Sequence, residues 1–324
     1  MKAIMYHYIR PFNQEYPNLK ILHIDDFKKQ LDYFQKEFGF VSIEDFTNSF
    51  KTGKTINGVV LTFDDGLFCH YEYAYKELKK RGLWGIFYIP TQPYVEGKIL
   101  DVHRTHLLLG KYESKRIFEF LEKIINESLF DQSKLNEFKI LTYKTQENDK
   151  YTLLVKRILN YFLSIEHREK VIDCLMEEFL PNEKEILQSY YLTEDQILEM
   201  HENKMIIGSH TINHPVMSKL SFKQQSIQIK NSFDYLKNIV GKFNHKTFCY
   251  PYGGYHSFTD DTEKILSEQN CLYSFNVEHR DIGESDIQSR PQAMPRYDCN
   301  QFPFGQIRKL SPTMYKRHQN DRLY

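Results

Sequence analysis

The chain has 324 residues, and its 43 acidic and 43 basic side chains leave a formal net charge of zero. That balance argues against a partner held mainly by charge, nucleic acid above all. A hydrophobic content of 41% supports either one large α/β barrel or two ordinary domains. Five scattered cysteines with no CxxC pair fit reduced thiols better than a disulfide framework. No apolar run approaches the ~20 residues of a membrane-spanning helix. The first apolar stretch is interrupted by Tyr6, His7 and Arg10, unlike a signal peptide, so a cytoplasmic location is expected.

Ile4–Tyr8 is a strand pattern with His7 near its carboxyl end. Asp25 or Asp26 is placed to cap a helix with Phe27, Leu31 and Phe34 on its apolar face, ending at Gly39. Val41–Ile43 reads as a short strand. Gly58-Val59-Val60-Leu61 is an apolar run leading into Thr62-Phe63-Asp64-Asp65-Gly66. A helix over Tyr71–Arg81, stopped by Gly82, precedes a strand over Trp84–Ile89. This alternation predicts a parallel βα architecture.

The alternation lapses over residues 100–192. Helical spacing runs through Ile117, Phe120, Leu121, Ile124 and Ile125, then Leu153, Leu154, Ile158, Leu159 and Phe162. The expected organisation is a barrel formed by 1–99 and 193–324, with a helical insertion at 100–192. The insertion follows the Trp84–Ile89 strand and is expected on the face where the strands end, as a stabilising appendage, a lid or an acceptor-binding wall. His103 and His106 near its start are read as surface or capping residues. The barrel pattern resumes with a strand at Met205–His210, a helix at Ser221–Val240, a strand at Thr247–Tyr250, a helix at Asp260–Gln269 and a strand at Leu272–Val277.

Chemistry concentrates at three of these strand ends. Asp64 and Asp65 are adjacent carboxylates, an arrangement that costs stability unless a cation or proton compensates. His210 and His214, four residues apart, converge on one metal if a helical turn joins them. One carboxylate and two imidazoles leave coordination positions open, as a catalytic ion requires. Phe248-Cys249-Tyr250-Pro251-Tyr252-Gly253-Gly254 ends in a rigid turn whose glycines permit close backbone approach.

Thr62-Phe63-Asp64-Asp65-Gly66, His210-Thr211-Ile212-Asn213-His214-Pro215 and Tyr250-Pro251-Tyr252-Gly253 resemble, in order, the first three motifs of the NodB-type polysaccharide deacetylases, carbohydrate esterase family 4. The resemblance covers roughly residues 1–100 and 200–300. It implies an α/β fold, a distorted (β/α) barrel, and removal of N- or O-acetyl groups from sugars with one divalent ion, usually Zn2+. Carried over, Asp65, His210 and His214 hold the metal, Asp64 is the general base toward the attacking water, and the Tyr252 N–H helps stabilise the oxyanion.

The family's third motif usually has an arginine two residues before its proline, where this chain has Cys249. Arg296, in Met294-Pro295-Arg296-Tyr297-Asp298, is the proposed substitute. The family's general-acid histidine, from a Leu-x-His motif, has no counterpart after residue 300, and His318 lies in a polar tail. Met5-Tyr6-His7 instead resembles the circularly permuted branch of the family, which makes His7 the expected acid. The implied partner is an N-acetylated sugar or glycan. The rival readings are a deformylase or other amide hydrolase, and a catalytically dead carbohydrate-binding protein. Tyr88, Tyr252, Tyr255 and Tyr297 are the aromatic side chains near the motifs that suit sugar stacking.

Overall fold

The computed structural model describes residues 1–143 and 146–310. Its strands are β1 (Lys2–Tyr6), β2 (Val59–Phe63), β3 (Ile86–Ile89), β4 (Ile206–Ser209), β5 (Thr247–Cys249), β6 (Tyr273–Phe275) and β7 (Tyr297–Asp298). All pair in parallel, in the order β6-β5-β4-β3-β2-β1-β7. Phe275 of β6 also bridges in parallel to Met294, three residues before Tyr297 pairs with Ile4 of β1. Residues 294–298 therefore link the two ends of the curled sheet, and the architecture is a distorted (β/α) barrel of the NodB type.

The strands are apolar on both faces because both are covered. Ala3, Val60, Ile86, Ile206 and Phe275 join one buried cluster. Their alternating neighbours Ile4, Leu61, Phe87 and Ile207 pack with Phe27, Leu31, Phe34, Leu78 and Leu236 from the surrounding helices. Phe63 and Phe87 stack at 4.5 Å between centroids. Truncating either to alanine is expected to cost roughly 3–5 kcal/mol.

Two local expectations are corrected. Residues 41–43 are not a strand: Ser42 caps the helix Ile43–Thr52, its Oγ accepting from the Asp45 N–H and donating to the Asp45 carboxylate. The cap of the helix Ile24–Glu37 is His23, whose Nδ1 accepts from the Asp25 N–H, while Asp25 and Asp26 lie in the first turn and favour its positive end.

The chain forms two compact units. The first, Met1–Arg10, Leu22–Lys98 and Leu187–Gln306, holds all seven strands. Among the described residues, the second comprises Pro11–Ile21, those of 99–186, and 307–310. Its longer helices are Asp101–Lys111, Ser114–Ile124, Lys150–Arg157 and Ile165–Phe179, around buried Leu108, Ile117, Leu121, Val155, Leu159, Ile172 and Leu175. This unit draws in two segments that the sequence pattern leaves with the barrel: Asn18 donates to the Gly110 carbonyl at 2.9 Å, and Ile21 and Arg308 exchange backbone hydrogen bonds. Among the described residues no helix is long and apolar enough to cross a membrane.

Candidate active site

The carboxyl ends of β1, β2, β4 and β5, with residue 296 just before β7, bring the chemistry together in the first unit. Asp64 follows β2, and its N–H donates to the Tyr6 carbonyl at 2.9 Å, the last rung between β1 and β2. Asp65 then takes a positive φ of 85° and Gly66 one of 61°. A non-glycine residue in that region costs energy and persists only where its surroundings over-determine it. The turn separates two adjacent carboxylates, which face different partners.

Asp64 is buried against Arg296. The guanidinium donates from Nη1 to Oδ1 at 2.8 Å and from Nη2 to Oδ2 at 2.7 Å, a bidentate clamp. Nη1 also donates to Thr62 Oγ1 at 2.9 Å, and Thr62 in turn donates to the Ile4 carbonyl. Nε donates to the Asn276 carbonyl, and Nη2 lies 2.9 Å from Cys249 Sγ. The Cys249 thiol reaches Asp64 Oδ2 at 3.4 Å. Burial pushes the Asp64 pKa up, but the charge and hydrogen bonds of Arg296 outweigh burial, and the carboxyl is held down at about 2. His7 Nε2 stands 4.0 Å from Asp64 Oδ2, with 40% of its side chain exposed.

Asp65 faces imidazoles. Its Oδ1 lies 3.4 Å from His210 Nε2 and 3.5 Å from His214 Nε2. These separations are long for hydrogen bonds. They match what a tetrahedral ion about 2.1 Å from each donor imposes, roughly 3.4 Å between ligand atoms. His210 Nδ1 donates to the Cys249 carbonyl at 2.8 Å, which fixes the tautomer and leaves Nε2 a lone pair. Asp65, His210 and His214 therefore fit a divalent ion. Burial lowers the His210 pKa, but Cys249, Asp65 and Asp64 together raise it well above the ordinary range. An ion at Nε2 takes the place of that proton.

The backbone between the two histidines is not the helical turn that their spacing suggests. Thr211 and His214 both have positive φ, 69° and 55°. Thr211 Oγ1 accepts from the His214 N–H at 3.0 Å, and Gln228 Oε1 accepts from the N–H of Ile212 at 3.0 Å. Pro215 disfavours helical backbone at the residue before it. Side-chain caps and a proline thus bring the imidazoles within 4.8 Å between ring centroids without a helix.

Tyr252, at φ 66°, lays its ring 4.8 Å from that of His214. Gly253, at φ 61°, is required by space: a Cβ there would come 2.2 Å from Val277 Cγ2. Of the other tyrosines, Tyr88 is fully buried and bonded to Thr247, which removes it as a stacking platform. Tyr297 is half-buried with its hydroxyl on Asp281, and Tyr255 is exposed with its hydroxyl on Glu278. His103 is buried in the second unit, which corrects its reading as a surface residue. His318 lies outside the described residues.

The structure thus brings together Asp64, Asp65, His7, His210, His214, Tyr252 and Arg296. Cys249 and Thr62 were missed as members of the Asp64 cluster. The signal for Thr62 was a polar residue within the otherwise apolar run that forms β2, and Cys249 carried none beyond its place at the end of β5.

Comparisons with known proteins bear on the fold that carries these residues. The family model for polysaccharide deacetylase matches residues 166–272, which include His210, His214 and Tyr252. A deacetylase of Streptococcus pyogenes, PplD, solved in complex with acetate, superposes with a TM-score of 0.58 at 17% identity, covering 98% of this chain and 96% of that one. IcaB from Ammonifex degensii gives 0.52 at 15% identity over 98% and 95% of the two chains. A de-N-acetylase from Aggregatibacter actinomycetemcomitans gives 0.52 at 13% identity over 98% of each. No curated protein sequence matches the chain. The match to the polysaccharide deacetylase model spans 107 of the 324 residues. The fold is the one these solved structures share.

Proposed function

We propose that the protein is a metal-dependent hydrolase that removes the N-acetyl group from an amino sugar, in a glycan or a glycan precursor. The observation that carries this reading is the division at the end of β2: Asp64 is neutralised by Arg296, while Asp65 joins two imidazoles in a ligand set. Asp65, His210 and His214 hold one ion, and zinc suits that oxygen and nitrogen set. When bound, the ion supplies Lewis acidity and acidifies a coordinated water.

The remaining roles belong to side chains and backbone. Asp64, ionised throughout the neutral range, accepts the proton of the attacking water. Arg296, Thr62 and Cys249 hold it in place. The turn through Tyr252 offers a backbone N–H to the oxyanion that develops on the acetyl carbonyl. As the carbon–nitrogen bond breaks, His7 protonates the departing amine. The order of strands supports the assignment of His7 and the likeness to the permuted branch, because β1 lies between β2 and β7. A first strand beside the last can supply a residue that relatives place at the other terminus. Five free cysteines suit a cytoplasmic enzyme acting on a precursor.

The test is acetate release from a panel of N-acetylated monosaccharides, nucleotide-linked sugars and oligosaccharides, with the zinc-loaded protein. Release from at least one, abolished by chelation and restored by zinc, is expected. Formate release from formylated sugars alone would favour a deformylase. Sugar binding with neither product would favour a binding protein.

A further inference from the structure

The first unit contains a further buried histidine near the site, His70, that the reaction above does not use. We propose that His70 is a positioning residue: it holds the peptide that carries His7 and so sets the distance from the imidazole to Asp64. The proposal rests on the reading of His7 as the acid.

β1 ends at Tyr6, whose carbonyl takes the last rung from Asp64. The next carbonyl, that of His7, lies beyond the sheet ladder. His70 Nε2 reaches it at 2.7 Å. A carbonyl only accepts, so Nε2 carries the proton and donates. Tyr8 continues the anchoring, its carbonyl accepting from the Leu22 N–H at 2.9 Å. The Tyr6–His7 and Tyr8–Ile9 peptides are thus tied by backbone bonds, and the His7–Tyr8 peptide between them by His70.

Three features suit His70 to this task. Its ring is completely buried and packs edge-on to Phe63 at 5.7 Å, beside Phe87, so its direction is set by the core. Burial holds its pKa down at about 4, which keeps the ring neutral at working pH. Nδ1 makes no hydrogen bond among the described residues, which suits the lone pair of the Nε2–H tautomer and would penalise a second proton there. His70 also begins a π-helical turn, His70–Tyr75, separated by three residues from the Asp64-Asp65-Gly66 segment. Such turns are rare and occur often beside functional sites. One short stretch of chain therefore supplies both the carboxylates and the residue that fixes the acid relative to them.

The test compares His70→Leu, which removes the donor, with His70→Gln, whose amide nitrogen falls near the position of Nε2. In zinc-loaded protein with labelled histidines, the His7 ring resonance is identified by its loss in His7→Ala. His70→Gln should leave its shift and titration as in the parent, whereas His70→Leu should shift or split it. An unchanged His7 resonance in His70→Leu would overturn the proposal, whatever the turnover. Should leucine unfold the chain, His70→Asn, polar but too short to reach the carbonyl, replaces it with the same expectation. On the substrate found in the acetate panel, His70→Leu should lower kcat on the order of 10- to 100-fold with KM little changed, and glutamine should restore it. A His7→Ala variant with undiminished kcat would sink the acid assignment instead, while the resonance would still report on positioning.

Discussion

Asp64 and Asp65 are neighbours in the chain and opposites in their surroundings. Asp64 is enclosed by one guanidinium fork, anchored on the Thr62 hydroxyl, and by a thiol, and its charge is compensated by the protein itself. Asp65 shares its oxygen with two imidazole nitrogens at 3.4 and 3.5 Å, a geometry that calls for an ion rather than a proton. The positive φ of Asp65 is the device that sends the two carboxylates to different partners. On the proposed reading, the difference teaches that a like-charged pair can be kept ionised by giving each member its own cation, Arg296 for Asp64 and a bound ion for Asp65.

The sharpest way to break this comparison is to remove the ion's side of it. His210→Ala should abolish both zinc content, measured by elemental analysis, and acetate release. Full zinc occupancy in that variant would refute the ligand assignment. Next come the two carboxylates themselves. Asp64→Asn should keep zinc and lose roughly 10²–10⁴ in kcat, the usual size of a general-base contribution. Asp65→Asn should lose zinc. The reverse pattern would mean that the two roles are exchanged.

Arg296 tests the protein's own cation. Arg296→Met leaves a buried carboxylate without its partner and should cost roughly 3–5 kcal/mol in denaturant unfolding. In whatever fraction folds, the acid limb of the kcat/KM profile should move up, because the Asp64 pKa is no longer held at about 2. An unmoved limb would mean that Arg296 does not control Asp64.

The pH dependence of stability gives smaller and separable effects. A histidine whose pKa is lowered on folding to about 4 binds fewer protons folded than unfolded between pH 6.5 and 4. His70 should therefore make stability fall as pH drops through that window, by up to roughly 3 kcal/mol. His70→Gln should flatten this part of the curve in chemical denaturation. Asp64 acts in the window below it: its lowered pKa stabilises the fold above the unfolded value of 3.8, and that contribution is lost as pH falls toward 2. The smallest effect is reserved for Tyr255, exposed beside the turn that follows β5. Tyr255→Ala should raise KM for the sugar a few-fold at most without changing kcat, since a single exposed aromatic contact contributes on the order of 1 kcal/mol.

The sequence by itself pointed to the residues that the structure gathers at the candidate site, because each motif ends a recognisable strand and strand ends follow from apolar runs and glycine breaks. Asp64, Asp65, His210 and His214 were legible for that reason. The parallel alternation was legible from residue spacing. What only the tertiary structure decided depends on contacts between residues far apart in the chain. Arg296 reaches Asp64 across 232 positions, which no local pattern encodes. The conformation between His210 and His214 was misread because Thr211, Gln228 and Pro215 override the helical spacing of two imidazoles. The helix cap at Ser42 was overlooked because Val41 and Ile43 favour a strand, while the bond from Ser42 to Asp45 decides for the helix. The division into two units took Pro11–Ile21 from the barrel through backbone bonds to Gly110 and Arg308. The bond from His70 to the His7 carbonyl stayed hidden because a side chain that meets a backbone carbonyl 63 residues away leaves no periodicity to read.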